Sequence, residues 1–237
     1  MMKQTKIKRG PLFSGLSPVP WNVLDQLTSG QLSALNQTGL TRRVEKGDYV
    51  FRSGENAGGV YFLKSGKIKV SQAVSSGKEV ILWFCFGGDI LGLAEAMQYC
   101  EREVSAQACE VSEVLSIPQE RFNAYLFENP QVMFLLLKVI SSRLRCLSET
   151  LANVAGEPVQ TRFTRLLFWL CTRYGRCEEE TVVMNVQLTH QEIADMIGAT
   201  RQTVTSIMSS FKQQGILVMR DHFIHIVDKH KLFSLLH

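Results

Sequence analysis

The stretch LTHQEIADMIGATRQTVTSIMSSF, residues 188–211, constrains the fold of this chain more than any other segment. Thr189 and Glu192 form a T-x-x-E capping box, which predicts that a helix begins at this point. Gly198 readily adopts a positive φ, so the helix is expected to end there in a tight turn. Thr200 is placed to cap a second helix. The sequence therefore predicts two short helices joined by one glycine turn.

The second of these helices is predicted to have an apolar face and a polar face. Its apolar residues recur at helical spacing, and its polar face carries Arg and Gln but no carboxylate. Arg pairs with guanine and Gln with adenine through two hydrogen bonds each. An ordinary helical hairpin shares this pattern, but residues 215–228 predict two strands around a polar turn, which favours a winged helix-turn-helix that binds DNA. The candidate DNA contacts are Thr189, Thr200, Arg201, Gln202, Thr203, Thr205 and Ser206.

The front half of the chain has a different pattern. From residue 41 to residue 117, short β-prone segments alternate with glycines at 47, 54, 66, 77 and 87–88. Regularly spaced turns between short strands predict a β-barrel or jelly roll. The fold class is therefore expected to be α+β, with an N-terminal barrel-like sensor domain and a C-terminal winged helix-turn-helix.

A long helix is predicted between these two parts, from about residue 131 to residue 155. Apolar residues alternate there at steps of four and three, which is a heptad seam sustained over about three repeats. The seam favours a parallel dimer, and the alternative is a helix packed on its own domain. The predicted dimer seam contains Leu137, Ile140, Leu144, Leu147, Leu151 and Val154.

The Gly and Pro of GEPVQ, residues 156–160, predict a hinge after the long helix. The expected organisation is a sensor domain over 1–130, a dimerisation helix and hinge over 131–157, and a DNA-binding domain over 158–237. The net charge of +4 permits nucleic-acid binding without proving it. No apolar run of eighteen residues and no secretory leader are visible, so a cytoplasmic location is expected.

The order of these segments resembles the Crp/Fnr superfamily of bacterial transcription regulators over nearly the whole chain. The motifs that carry the resemblance are KGDYVFRSGE, VYFLKSGKIKV, GGDILG and SEVLSIPQERF, together with the helix-turn-helix segment. The resemblance implies a homodimer that binds double-stranded DNA at palindromic operators and controls promoters together with RNA polymerase. An effector or a redox signal in the sensor domain is expected to switch it.

The recognition helix matches the family motif in part. Thr200, Arg201 and Thr203 fit the family pattern, and the resemblance implies that Arg201 contacts guanine. Gln202 stands where many members have Glu, so adenine becomes a candidate partner. Ser206 stands where a second base-reading Arg is frequent, so a weaker or altered contact is expected at that operator position.

The resemblance also places a phosphate cassette after the Gly-Asp turn. Members that bind cyclic nucleotides have Gly-Glu there for the ribose, followed by Arg-Ser or Arg-Thr for the phosphate. The matching pairs in this chain are Gly92–Leu93 and Arg102–Glu103. Leu93 replaces the Glu, and Glu103 would put a second anion beside the phosphate, which argues against cyclic AMP. Arg102 is instead expected to form a salt bridge on the barrel surface, with Glu95, Glu101 or Glu103.

The residues of the chain bear on four other signals. An iron–sulfur cluster of the Fnr type needs cysteines near the N-terminus, and the first cysteine is Cys85, so that mechanism is not expected. Haem stays open with non-histidine ligands, as do thiol redox chemistry and a small organic effector near Trp83. The six cysteines form no C-x-x-C pair, and most are expected to be small buried hydrophobes. The redox or haem candidates are Cys85, Cys100, Cys146 and Met97.

Two other functional classes fit the chain less well. A cupin-like metal enzyme needs clustered histidines inside the barrel, but all five histidines lie at residue 190 or beyond. A cyclic-nucleotide-binding module that regulates a partner enzyme would not need a winged helix. The chain is therefore expected not to be an enzyme.

Overall fold

The computed structural model describes residues 22–73, 79–178, 181–184, 186–221 and 223–236; within these, the side chains at 146, 149–155, 172–174 and 177 lie outside the description. The chain divides between Arg145 and Cys146 into two compact units. The first is a β-roll with helices, and the second is helical with a small sheet. The α+β class is confirmed.

The first unit contains a double-layered β-roll, as predicted. Two four-stranded sheets have the orders β1-β8-β3-β6 and β2-β7-β4-β5. Gly66, at a φ of 99°, makes the turn between β3 and β4, where a Cβ would collide with Ser112. The strands are β1 Leu40–Val44, β2 Tyr49–Phe51, β3 Gly59–Ser65, β4 Lys67–Ala73, β5 Glu79–Phe86, β6 Ile90–Leu91, β7 Ser105–Ala108 and β8 Ser112–Pro118.

The core of the roll consists of inward-facing apolar side chains from both sheets. Alternation along the strands places Leu63, Ile68 and Val114 in this core, each fully buried. Cys85 belongs to the same cluster and is fully buried. Its position fits the interpretation of this cysteine as a small hydrophobe.

Within the described ranges, the α-helices that lie in this unit or begin in it are α1 Ser29–Gln37, α2 Leu93–Gln98, α3 Gln119–Glu128 and α4 Pro130–Gly156. Helix α4 buries Val132, Leu136 and Val139. Its predicted seam lies on another face, where the described side chains of Leu137, Ile140, Leu144 and Leu147 are 43–65% exposed. The alternative in which this seam packs on its own domain is therefore wrong for these four residues. Leu151 and Val154 fall among the side chains outside the description.

The second unit is a three-helix core with a four-stranded sheet of order β11-β12-β10-β9. Phe163, Leu167, Ile193, Val204 and Phe211 are fully buried and join the helices. Within the described ranges, no helix is both long enough and apolar enough to cross a membrane. The elements are α5 Val159–Tyr174, β9 Gly175–Glu178, β10 Thr181–Met184, α6 His190–Ile197, α7 Arg201–Gln213, β11 Leu217–Arg220, β12 Phe223–Ile226 and α8 Lys229–Ser234.

Candidate nucleic-acid interface and effector cassette

Helix α6 begins and ends at the residues that the sequence predicts. The amide of Glu192 donates to Thr189 Oγ1 at 3.1 Å, and the amide of Thr189 donates to Glu192 Oε2 at 2.7 Å. This reciprocal pair is a capping box. Gly198 ends the helix at a φ of 61°, in the left-handed region. The short turn that follows leads directly into α7.

Helix α7 presents the predicted apolar and polar faces. Thr200 caps it, since Thr200 Oγ1 accepts a hydrogen bond from the amide of Thr203 at 3.1 Å. Val204, Met208 and Phe211 are buried, whereas Ile207 is half-buried. The exposed residues of the helix therefore form a polar surface at its N-terminal half.

The seven candidate DNA contacts divide into two groups. Thr189 and Thr200 act as caps, Thr203 Oγ1 lies 2.8 Å from Thr200 Oγ1, and Thr205 Oγ1 donates to the carbonyl of Arg201 at 2.8 Å. These four hydroxyl groups are engaged within the helix-turn-helix. The side chains of Arg201, Gln202 and Ser206 are exposed and make no hydrogen bond to any described residue.

His190 is a residue that the sequence analysis did not select. It is the first residue of α6, and its Nδ1 lies 2.8 Å from Thr205 Oγ1 on α7. Burial lowers the pKa of His190, and the charges of Lys212 and Arg201 lower it further. No sequence motif marks this contact, because it depends on how the two helices pack.

The predicted wing is present as two antiparallel strands, β11 and β12, which pair from Leu217 with Ile226 to Arg220 with Phe223. Asp221 follows β11 at a φ of 49°. Strand β12 also pairs with β10, so the wing is anchored in the sheet of its unit.

The effector cassette is organised around a buried arginine. Arg102 Nη1 donates to the carbonyl of Gly92 at 2.7 Å, and Nη2 donates to the carbonyl of Gly59 at 2.5 Å. The carboxylate of Glu95 lies 3.4 Å from Nη1. Gly92 has a φ of 68°, and a Cβ there would lie 2.5 Å from the guanidinium. Glycine at this position therefore permits the close approach of the arginine.

The expected surface salt bridge of Arg102 is wrong in its location. Arg102 is 2% exposed, and its guanidinium carbon lies 4.4 Å from the ring centroid of Phe51. Its partner is Glu95 on α2. Leu93, two residues before Glu95 in the sequence, is also buried. Glu103, the residue that follows Arg102, is exposed. Arg102 Nε is buried and has no hydrogen-bond partner among the described residues.

Glu95→Gln should lower the free energy of unfolding by about 1.5–3 kcal/mol, the range for a hydrogen bond to a charged group. The substitution removes the negative charge that balances Arg102 inside the roll. Urea unfolding followed by circular dichroism measures this change. Glu103→Gln is the matched control, and it should stay within about 0.5 kcal/mol because Glu103 is exposed. Equal effects of the two substitutions would show that Glu95 is not the partner that matters.

The other candidate effector residues lie in different environments. Trp83 is half-buried, and Arg143 of α4 lies over its ring at 6.0 Å while donating to the carbonyl of Ile90 at 2.7 Å. Cys100 is half-buried and Met97 is 41% exposed. The side chain of Cys146 lies outside the description. The described residues contain no cluster of His, Cys, Asp or Glu suited to a metal ion.

Two family models match the chain. Residues 41–129 match the cyclic nucleotide-binding domain, and residues 161–235 match the Crp-like helix-turn-helix domain. Neither description names an enzymatic activity. The first match covers most of the roll, and the second covers the helix-turn-helix and the wing.

Three individual proteins illustrate that the similarity extends over most of this chain. The global nitrogen regulator of Nostoc sp. is 27% identical over 198 residues, which is 83% of this chain and 86% of the relative. The CRP-like cAMP-activated global transcriptional regulator of Mycobacterium tuberculosis is 27% identical over 187 residues, 79% of this chain and 84% of the relative. A solved structure of a CooA mutant from Carboxydothermus hydrogenoformans has a TM-score of 0.76 at 24% identity and covers 91% of this chain and 96% of that one.

Proposed function

Because this chain belongs to the Crp/Fnr superfamily of transcription regulators, we propose that α7 enters the major groove and reads bases with Arg201, Gln202 and Ser206. Arg201 pairs with guanine through two hydrogen bonds, and Gln202 pairs with adenine. Ser206 has a shorter side chain and contacts a base from the same face of the helix. Thr189 and Thr200, at the caps of α6 and α7, lie where backbone phosphates pass a helix-turn-helix.

One observation carries this proposal. The three proposed readers are exposed and have no side-chain hydrogen bond to any described residue, whereas the hydroxyl groups of Thr200, Thr203 and Thr205 are already paired. Donors and acceptors without a partner inside the protein can meet base edges without first breaking a hydrogen bond of the folded domain.

The reading heads are proposed to act as a pair. The exposed apolar seam of α4 suits a second copy of the chain, because an apolar stripe at heptad spacing buries itself against an identical stripe. Two recognition helices would then fit half-sites about 34–36 Å apart on a palindromic operator. Contact with RNA polymerase at the promoter belongs to the same proposal.

The signal is proposed not to be a cyclic nucleotide. The charge of Arg102 is already balanced by Glu95, and two carbonyls occupy its Nη atoms, so a phosphate would have to displace groups of the protein itself. The names of the relatives do not select a signal, because two that are equally similar are named for nitrogen regulation and for cAMP activation. A different effector or redox event at the roll would favour the DNA-binding state by a population shift.

Selection from a pool of random duplexes tests the proposal. The full-length protein should enrich one two-fold symmetric sequence, and its affinity should fall linearly with salt on a logarithmic plot. Millimolar cyclic AMP should leave the dissociation constant unchanged within about twofold. Selection that returns no common sequence would contradict the proposed function, whereas a requirement for cyclic AMP would contradict only the proposed state of Arg102.

A further inference from the structure

Helices α6 and α7 are joined by a hydrogen bond whose direction can be deduced. Thr205 Oγ1 has a single hydrogen, and it is donated to the carbonyl of Arg201 at 2.8 Å. The same oxygen lies 2.8 Å from His190 Nδ1, so it must accept a hydrogen bond there. His190 therefore carries its proton on Nδ1. Burial lowers the pKa of His190 and so favours the neutral imidazole, which carries its proton on only one of its two nitrogens.

We propose that His190 is a positioning residue, which sets the placement of the recognition helix through its bond to Thr205, and that Thr205 itself reads no base. This inference rests on the proposed function. Its basis is that Thr205 has used its hydrogen on Arg201 and one acceptor position on His190, although its side chain lies on the exposed side of α7. The sequence pattern alone had placed Thr205 among the DNA contacts.

The physical role follows from the kinds of contact between the two helices. The buried apolar side of α6 consists of Ile193, Ala194 and Ile197, and that of α7 includes Val204 and Met208. Apolar packing is non-directional and tolerates small sliding movements, whereas a hydrogen bond is directional. A side chain that recognises a base through two hydrogen bonds must be placed to within about 0.5 Å. The bond from His190 lies one turn along α7 from Arg201, so it supports the turn that presents the proposed readers.

Two pairs of substitutions isolate this bond. His190→Asn places an amide N–H close to the position of Nδ1, whereas His190→Gln places it near Nε2 and loses the bond. Thr205→Ser keeps the hydroxyl, whereas Thr205→Val removes it at nearly equal volume. His190→Gln and Thr205→Val should each weaken binding to the duplex selected by the wild type about five- to a hundredfold, because the readers of each of two reading heads would then have to be ordered when they meet DNA. His190→Asn and Thr205→Ser should stay within about threefold of the wild type, because both keep the bond.

The double variant and a repeated selection complete the experiment. His190→Gln combined with Thr205→Val should be no weaker than either single variant, because both remove the same bond. The base preference of Thr205→Val should match the wild type, while Gln202→Ala changes it. Additive losses, a changed base preference for Thr205→Val, or wild-type affinity for His190→Gln would each overturn the inference and leave the proposed function intact. A wild type that selects no sequence would overturn both.

The imidazole spectrum gives a readout that does not depend on DNA. In the full-length protein labelled with ¹⁵N-histidine, His190 should show the Nδ1–H tautomer at neutral pH, and Thr205→Val should lose this preference. Thermal unfolding of every variant tests whether the fold is retained. Should Thr205→Val fail to fold, the two His190 variants and the wild-type spectrum decide the question. An Nε2–H tautomer in the wild type overturns the inference.

Discussion

Leu144→Glu is expected to convert the protein from a dimer to a monomer. The Leu144 side chain is 65% exposed on α4 within the described chain. Its neighbours in the seam, Ile140 and Leu147, are also apolar and exposed. Burial of two leucine side chains in a symmetric interface is worth about 3–6 kcal/mol. Their loss corresponds to a factor of about 10² to 10⁴ in the dimer dissociation constant. The two carboxylates would also face each other across the seam.

Sedimentation equilibrium of the purified variant measures this change. Lys138→Glu is the matched control, because Lys138 is exposed on the same helix but lies outside the seam. It should remain a dimer and keep the circular dichroism spectrum of the wild type. A dimer of unchanged affinity in Leu144→Glu would mean that the exposed stripe is not the interface.

The helix-turn-helix could be predicted closely because the rules that define it are local. The capping box of Thr189 and Glu192 spans four residues, and Gly198 needs only its own backbone freedom. The alternation of strands with glycine turns is local in the same sense, so the β-roll followed from the sequence. The heptad pattern of α4 marks four side chains that are exposed in a single copy, namely Leu137, Ile140, Leu144 and Leu147.

The cassette could not be predicted, because its contacts join residues that are distant in sequence. Arg102 donates to the carbonyl of Gly59, which is 43 residues away, and pairs with Glu95 across the end of α2. Three carboxylates lie near Arg102 in the sequence, and the sequence alone does not show which of them pairs with it. A charged residue in a polar stretch was therefore placed on the surface, whereas two carbonyls and one carboxylate hold it inside the roll.

The bond between His190 and Thr205 shows a second limit of sequence reasoning. The helical spacing that puts Thr205 on the polar face is correct, but it does not show whether the hydroxyl is available. Availability depends on the packing of α6 beside α7, which brings His190 Nδ1 to 2.8 Å from Thr205. A polar face is therefore a set of candidates, and the hydrogen bonds of the folded domain select the readers among them.

Arg201→Ala is expected to abolish specific DNA binding while the dimer and the fold are retained. The Arg201 side chain is exposed at the first position of α7 and has no described hydrogen-bond partner, so its removal should change the unfolding temperature little. A bidentate pair with guanine is worth about 1–3 kcal/mol of discrimination. Two reading heads lose about 2–6 kcal/mol together, which brings the affinity close to that for non-specific duplex.

Lys212→Ala separates base reading from simple loss of charge, because Lys212 is also a cation exposed on α7 but lies at the far end of the helix. It should weaken binding to all duplexes by a similar factor and leave the preference for the selected sequence unchanged. Arg201→Ala should instead remove that preference, above all at one guanine in each half-site. Footprinting and competition with non-specific duplex measure both quantities. A footprint of Arg201→Ala that matches the wild type would refute Arg201 as the residue that reads guanine.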